Sequence, residues 1–153
     1  MTLTLLPLPR LTQSPFPFQR LDSLQRRKPK IALIEDDVAI ARMYQLQLVD
    51  DGYDVELATD GASGLRLVQD SPPDLILLDL RLPKLPGLEV LRSIAIDPRV
   101  AGIPVLILSN YGEPSVVQEG LGLGAREYLV KSQTTPLDLS TRLREYLPPE
   151  LLG

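Results

Sequence analysis

Short apolar runs alternate with longer amphipathic stretches five times between residues 30 and 146, and this alternation restricts the fold more than any other feature of the sequence. The apolar runs have the length of strands, and the stretches between them have the length and spacing of helices. We predict strands at Lys30–Ile34, Tyr53–Ala58, Asp74–Leu78, Ile103–Leu108 and Glu127–Val130. We predict helices at Val38–Asp51, Gly61–Asp70, Leu88–Ile96, Ser115–Leu123 and Pro136–Tyr146.

Strands that alternate with helices favour right-handed crossovers and a parallel sheet with helices on both faces. The simplest arrangement is a doubly wound, flavodoxin-like α/β fold with five strands in the order 2-1-3-4-5 and five helices. The apolar core of the third strand agrees, because a strand covered on both faces needs no polar side. On the first predicted helix, the residues on or near one face are Ile40, Met43, Tyr44, Leu46 and Val49.

The ends of the chain differ in composition from its body. Residues 1–28 are rich in proline, leucine, serine and threonine, and we interpret them as a flexible basic tail, with a docking arm or an organelle transit peptide as alternatives. Residues 29–148 form the predicted domain, and residues 149–153 a short C-terminal tail. The length of 153 residues suits one domain with an ordinary core.

Charge and residue usage exclude several classes of function. Residues 1–30 carry six bases and one acid, whereas residues 31–153 carry ten bases and 19 acids, a net charge of −9. An acidic body is a poor nucleic-acid binder, and no apolar run has the length of a membrane helix, so we expect neither partner. The chain has no histidine, which excludes histidine–zinc sites and serine–histidine catalysis. It has no cysteine, which is compatible with the cytoplasmic location that we expect.

Polar residues stand at the ends of several predicted strands. Glu35, Asp36 and Asp37 follow the first strand, Asp79 the third, Ser109 the fourth and Lys131 the fifth. The carboxyl ends of parallel strands share one edge of a sheet, so these side chains should converge on one pocket. Converging acids need a compensating cation, and carboxylate oxygens suit Mg²⁺. Singly, each has an ordinary alternative, such as a helix N-cap for Asp37 and a loop or surface residue for the others.

Four stretches in this order resemble one known family. They are IALIEDD, LILLDLRLPKLPGLEVL, VLILSN and GAREYLVKS, and they resemble the receiver domain of two-component response regulators, in particular the single-domain, chemotaxis-regulator-like members. The resemblance runs from about Lys30 to Tyr146. It implies that Asp79 is a phosphoacceptor, that Lys131 pairs first with Asp79 and later with the phosphoryl oxygens, and that Ser109 donates a hydrogen bond to the phosphoryl group.

The resemblance also implies a metal site and a switch. Asp36, Asp79 and the backbone carbonyl of Arg81 would bind Mg²⁺ directly, and Glu35 mainly through a water. Tyr128 would be the aromatic residue that turns inward in the active state.

Other positions in these motifs agree with the family or depart from it. Pro83 would fix the turn after Asp79, and Gly87 would permit a backbone geometry closed to other residues. Ser132 follows Lys131, where the family often has proline. Arg81 and Tyr111 resemble gates over the attacking water, and their length leads us to expect slow self-dephosphorylation.

The implied function is a stand-alone phosphorylation switch that catalyses only its own phosphorylation and dephosphorylation. A histidine kinase or a histidine phosphotransfer protein would supply the phosphoryl group, and a downstream protein would bind the face of the fourth helix, fifth strand and fifth helix. The resemblance leaves room for a homodimer. Two alternatives stay open: a receiver-like interaction module that is never phosphorylated, and a Mg²⁺-dependent phosphatase, which Arg81 disfavours because haloacid-type phosphatases have a second aspartate there.

Overall fold

Strand and helix alternate throughout residues 27–110 and 113–153, the parts of the chain that the computed structural model describes. The strands are β1 (Lys30–Ile34), β2 (Asp54–Ala58), β3 (Leu75–Leu78), β4 (Val105–Ser109) and β5 (Glu127–Val130). The helices are α1 (Val38–Asp50), α2 (Gly61–Asp70), α3 (Gly87–Ile96), α4 (Pro114–Gly122) and α5 (Pro136–Leu143). Single 3₁₀ turns span Lys131–Gln133 and Pro149–Leu151. The predicted tail lies outside the described residues except for its last two residues.

The five strands form one parallel sheet in the order β2-β1-β3-β4-β5, which confirms the predicted topology. The chain leaves β1 toward β2 on one side and returns to β3 on the other, so the order reverses between β1 and β3. Open α/β sheets bind their ligands beyond the carboxyl ends of the strands at such a reversal. The topology therefore places Glu35 and Asp79, which follow these two strands, at the expected position of a site.

Helices cover both faces of the sheet, and each face has its own apolar cluster. On one face, Ile76 and Leu78 pack with residues of α2 and α3, among them Val68 and Val90. On the other face, Leu75 and Leu77 pack with α1 and α5. All four residues of β3 are completely buried, as expected for a central parallel strand. Asp79 is therefore attached to the most deeply enclosed strand of the sheet.

The buried face of α1 differs from the predicted one. The helix buries Ala41, Tyr44 and Leu48, whereas Met43 and Leu46 are 45% and 68% exposed. Residues three and four positions apart share a helix face, and Ala41, Tyr44 and Leu48 follow that spacing. Leu46 points to the opposite side. Of the residues assigned to one face, Tyr44 is buried and Ile40 packs against the same cluster while partly buried. Ala41 and Leu48, which complete the buried seam, were not singled out.

Two predicted element boundaries also shift for local reasons. Strand β4 begins at Val105, after a proline that has no backbone N–H, and it includes Ser109 as its last residue. Helix α5 ends at Leu143 instead of Tyr146. Beyond it, the N–H groups of Glu145 and Tyr146 donate to carbonyls three residues back, so the helix gives way to tighter turns.

The start of α1 is fixed by a side-chain cap. The Asp37 carboxylate accepts hydrogen bonds from the N–H groups of Ala39 and Ile40, at 3.0 and 3.1 Å, which confirms the predicted N-cap. The carboxylate of Asp37 is thereby engaged with its own helix.

Among the described residues, no helix is long and apolar enough to cross a membrane.

Candidate functional site

The polar residues at the strand ends line one cavity of about 260 Å³ at the carboxyl edge of the sheet. The predicted residues that line it are Glu35, Asp36, Asp79, Arg81, Ser109 and Lys131, joined by Asp37, Ile40 and Asn110. Of the predicted site residues that the structure describes, only Tyr128 stands outside this lining. The convergence therefore follows from the sheet topology, because each residue lies at or just beyond the end of its strand.

The ammonium group of Lys131 joins the two buried acids of the cavity. Its Nζ lies 2.6 and 2.8 Å from the two carboxylate oxygens of Glu35 and 2.8 Å from Asp79 Oδ2. The side chain of Lys131 is only 10% exposed. Burial by itself lowers the pKa of Lys131, but the hydrogen bonds to Asp79 and Glu35 outweigh it, and the pKa lies above its ordinary value. The site therefore holds a permanent positive charge against Asp79.

Glu35 is the acid whose protonation the site changes most. Burial, followed by the hydrogen bond and charge of Asp79, raises the pKa of Glu35 from 4.5 to about 8, against the opposing effect of Lys131. The family resemblance implied that Lys131 pairs with Asp79 and that Glu35 acts on Mg²⁺ mainly through a water. In the structure, the same ammonium holds both acids.

Three carboxylates are arranged so that a cation could bind between them. One oxygen from each of Glu35, Asp36 and Asp79 lies within 4.8 Å of the others. Glu35 and Asp79 are buried, whereas Asp36 is exposed at the mouth of the cavity, which leaves room for water ligands. One lysine does not neutralise three acids, and an all-oxygen donor set with solvent on one side suits Mg²⁺. The residues present therefore fit the predicted metal.

Arg81 approaches Asp79 through its backbone. Its N–H lies 3.3 Å from Asp79 Oδ1, and its exposed side chain lines the cavity. The expected roles of Arg81, as a carbonyl ligand and as a gate, remain predictions. Tyr111, the other expected gate, lies outside the described residues.

The residues of the predicted switch pair, Ser109 and Tyr128, lie side by side, and Ser109 is part of the cavity lining. Ser109 is completely buried at the end of β4. The hydroxyl of Tyr128 is also buried and, among the described residues, has no hydrogen-bond partner of ordinary geometry, although the Ser109 side chain lies beside it. Burial raises the pKa of Tyr128, Ser109 lowers it less, and the Asp79 carboxylate adds to the rise. Tyr128 is half-buried and packs against the apolar cluster of its face.

The loop between β3 and α3 corrects one expectation. Gly87 was predicted for its backbone freedom, but its φ is not in the left-handed region. The residue with positive φ in this loop is Lys84, at 68°. Gly87 is required for space instead, because a Cβ there would lie 2.3 Å from the carbonyl oxygen of Asp79.

Two residues near the site were missed by the sequence interpretation. Asn110 lines the cavity, and its position directly after Ser109 was a usable signal. Tyr44 reaches from α1 to the loop that follows Lys131, where its hydroxyl donates to the carbonyl of Thr134 at 3.0 Å. No sequence signal relates these two residues, which are 90 positions apart.

Comparisons with known proteins agree with this arrangement. The "DNA-binding dual master transcriptional regulator RpaA" of Synechocystis is 41% identical over 115 residues, which cover 75% of this chain and 46% of RpaA. The phosphate regulon transcriptional regulatory protein PhoB of Rhizobium meliloti is 34% identical over 82% of this chain and 56% of its own length. The chain thus spans about half the length of these relatives, and the DNA binding of RpaA gives no support to the expectation that nucleic acid is excluded as a partner.

Solved structures and a family profile give the same assignment. The chemotaxis protein CheY4 of Vibrio cholerae superposes with a TM-score of 0.73 and 30% identity, over 79% of this chain and all of CheY4. The Mn²⁺-bound response regulator Rcp1 superposes with a TM-score of 0.67 and 32% identity, over 76% of this chain and 90% of Rcp1. The profile of the response regulator receiver domain matches residues 31–144. With the sheet order and the lysine-bridged acids, these matches show that the chain belongs to the response regulator receiver family, a family of signalling domains.

Proposed function

We propose that the chain is a phosphorylation switch in which Asp79 accepts a phosphoryl group with Mg²⁺ as cofactor. Receiver domains receive phosphoryl groups from histidine kinases and generally bind Mg²⁺ through acidic residues. The observation that carries the proposal is the Lys131 ammonium, buried between Asp79 and Glu35 at distances of 2.6–2.8 Å. Such a group can pair with Asp79 before the reaction and with phosphoryl oxygens after it.

The proposed chemistry is the transfer of a phosphoryl group from a histidine nitrogen of the donor to a carboxylate oxygen of Asp79. A carboxylate oxygen of Asp79 forms a bond to phosphorus while the bond from phosphorus to the histidine nitrogen of the donor breaks. The imidazole keeps the electron pair of that bond and takes up a proton. Bound Mg²⁺, held by Glu35, Asp36 and Asp79, would neutralise the charge of the phosphoryl oxygens.

The residues around Asp79 take roles that their positions support. The Nζ atom of Lys131 lies 2.8 Å from Asp79 Oδ2, and its side chain is so enclosed that bulk water does not compete for this contact. Ser109, at the neighbouring strand end, would donate its hydroxyl to a phosphoryl oxygen. Tyr128 packs behind Ser109, so a shift of the serine would be transmitted to β5. The solved structure of Rcp1 is a Mn²⁺-bound form, and this supports a divalent cation as the cofactor here.

We propose that the output of the switch is a protein-binding surface on α4, β5 and α5. A groove of about 540 Å³ lies along β5 and α5, bounded by Leu129, Leu137 and Arg142 among others. Leu137 is 62% exposed there, as an apolar anchor for a partner would be. We propose a histidine kinase or histidine phosphotransfer protein as the donor and the cytoplasm as the location. The binding of a protein, not nucleic acid, belongs to the same proposal.

Labelling with a small phosphodonor tests the phosphorylation step. The protein is incubated with Mg²⁺ and acetyl phosphate, and its mass is followed beside that of Asp79→Ala. Asp54→Ala is a matched control, because Asp54 is exposed at the opposite end of the sheet. We expect one phosphoryl group on the wild type and on Asp54→Ala, none on Asp79→Ala, and none without Mg²⁺. An unlabelled wild type at saturating donor would favour the interaction module that is never phosphorylated.

Turnover separates the switch from the phosphatase alternative. A phosphatase would release inorganic phosphate repeatedly from a generic phosphomonoester. We expect no such turnover, because Arg81 replaces the second aspartate and contributes its backbone N–H to Asp79.

A further inference from the structure

Two hydrogen bonds from Thr134 fix the conformation of the segment that follows Lys131. Ser132 follows Lys131, and the peptide bond between them is trans. Lys131–Gln133 form a single 3₁₀ turn, closed by the N–H of Thr134 at 3.3 Å from the Lys131 carbonyl oxygen. The Thr134 hydroxyl then donates to the Val130 carbonyl at 2.8 Å. Thr134 therefore ties the residue before Lys131 to the end of the turn after it.

A tyrosine from another element fixes this turn against the body of the domain. Tyr44 of α1 is 1% exposed, and its hydroxyl donates to the Thr134 carbonyl at 3.0 Å. A buried hydroxyl is costly without a partner, so the ring and this bond together hold Thr134 at one position. Helix α1 begins two residues after Asp36. The bond therefore connects the element that follows Glu35 and Asp36 to the segment that carries Lys131.

We propose that Tyr44 is a positioning residue that holds the backbone of Lys131 so that its ammonium reaches Asp79 and Glu35 together. The proposal rests on the phosphorylation function given above. The three ammonium contacts, at 2.6, 2.8 and 2.8 Å, are short and come from two different strand ends. Such a geometry needs a fixed starting point for the lysine side chain, which here starts between a strand end and a one-turn helix.

The charges of Lys131 and Glu35 both act on the Tyr44 hydroxyl. Burial raises the pKa of Tyr44, the Lys131 ammonium opposes that rise, and the Glu35 carboxylate adds to it. The charges of Lys131 and Glu35 therefore influence Tyr44, although Tyr44 does not line the cavity. A purely structural tyrosine would stabilise the fold without influence on the reaction, so the two roles are separable by experiment.

The test compares Tyr44→Phe with Tyr146→Phe, in which another tyrosine loses a partly buried hydrogen bond, here to Glu127 at 2.6 Å. Phosphorylation by acetyl phosphate is measured with saturating Mg²⁺ over a range of donor concentrations. We expect Tyr44→Phe to lower the maximal rate about tenfold, with little change in the half-saturating donor concentration, because a misplaced group slows the transfer step. Tyr146→Phe should keep the wild-type rate, although both variants lose thermal stability.

Thr134 supplies a second set of variants that leave the aromatic core intact. Thr134→Val removes the bond to Val130 and should reduce the rate as Tyr44→Phe does, whereas Thr134→Ser should keep the wild-type rate. The double variant of Tyr44→Phe and Thr134→Val should be little slower than either single variant, because both act through one loop.

A signal from Lys131 itself distinguishes failure of this proposal from failure of the phosphorylation function. The ¹H–¹⁵N signal of the buried ammonium should be visible in the wild type without donor, and Tyr44→Phe should shift it and speed its exchange with water. An unlabelled wild type would refute the phosphorylation function but leave this readout intact. A wild-type rate and an unchanged Lys131 signal in Tyr44→Phe would overturn the positioning role.

Discussion

The backbone of Gly87 packs against the carbonyl oxygen of Asp79 so closely that a Cβ at Gly87 would lie 2.3 Å from that oxygen. The same Cβ would lie 2.5 Å from the Cα of Leu80, so backbone atoms block it on two sides. Helix α3 starts at Gly87, and its N–H donates to the Leu80 carbonyl at 2.9 Å. The absence of a side chain at Gly87 is therefore what lets α3 begin directly beside the loop that follows Asp79.

We predict that Gly87→Ala destabilises the domain by about 1–3 kcal/mol, because α3 or the Asp79 loop must shift to make room. Urea denaturation of the metal-free protein measures the loss. Gly122→Ala is the matched control, since a Cβ at Gly122 meets nothing within 4 Å and alanine favours the helix. Equal stability of the two variants would contradict the steric explanation.

Replacement of Lys84 by glycine should stabilise the domain, in contrast to the loss expected at Gly87. Its φ of 68° is a left-handed conformation that costs a residue with a side chain about 1–2 kcal/mol. Its ion pair with Asp60, at 3.8 Å and with a Lys84 side chain that is 70% exposed, contributes little in compensation. We expect Lys84→Gly to raise the free energy of unfolding by several tenths to about 1 kcal/mol, after the larger entropy of unfolded glycine is deducted. A lower urea midpoint would show that the lysine side chain makes a contribution that outweighs this strain.

Glu35 should make the metal-free protein less stable as the pH rises. Its pKa is 4.5 when unfolded and about 8 when folded, so between these values the folded state binds more protons. Stability then falls from about pH 4.5 to about pH 8 and levels off above the folded pKa. Urea denaturation in the presence of a chelator should show this fall in the wild type between about pH 5.5 and 8.5, which lies around the two pKa values. The control Glu150→Gln, at an exposed position, should show the same fall. Glu35→Gln should lack it.

Mg²⁺ binding should depend on pH in the opposite direction. The cation needs the carboxylate form of Glu35, so its affinity should rise up to about pH 8 and then level off. Titration of tyrosine fluorescence with Mg²⁺ across this range gives the affinity. A pH-independent affinity would mean that Glu35 is ionised throughout or takes no part in binding.

Asp74 should matter more than its ion-pair partner. Arg27 donates to both oxygens of Asp74, at 2.7 and 2.8 Å, and the N–H of Lys30 donates to one of them at 2.7 Å. Asp74 is largely buried, whereas Arg27 is 58% exposed. We expect Asp74→Ala to cost about 1–3 kcal/mol, because it leaves the first N–H of β1 without its partner. Arg27→Ala should cost less than about 1 kcal/mol, and the reverse order of their thermal midpoints would contradict this account.

The sequence predicted what local patterns encode. Apolar runs of strand length gave the sheet, and polar residues just beyond those runs gave the cavity, because parallel strands bring their ends to one edge. Asp79 and Lys131 were placed correctly for this reason. Boundaries shifted by up to three residues where proline or a tighter turn intervened, as at Val105 and Leu143.

Features that depend on three-dimensional contact were not predictable in this way. The buried seam of α1 includes Ala41, whose small side chain carries a weak apolar signal. In the loop between β3 and α3, the left-handed conformation fell on Lys84 and not on Gly87, which no residue preference indicates. The bond between Tyr44 and Thr134 joins residues that are distant in sequence, and the sharing of Lys131 between two acids depends on the depth of the cavity.

The shared contacts of Lys131 also link distant parts of the sheet. Lys131 follows β5 at one edge of the sheet, and its ammonium reaches past β4 to Asp79 after β3 and to Glu35 after β1. A single cation thus spans four of the five strands at their carboxyl ends. Any change in the partners of that ammonium would therefore alter the contacts at the edge of the sheet and at its centre at the same time.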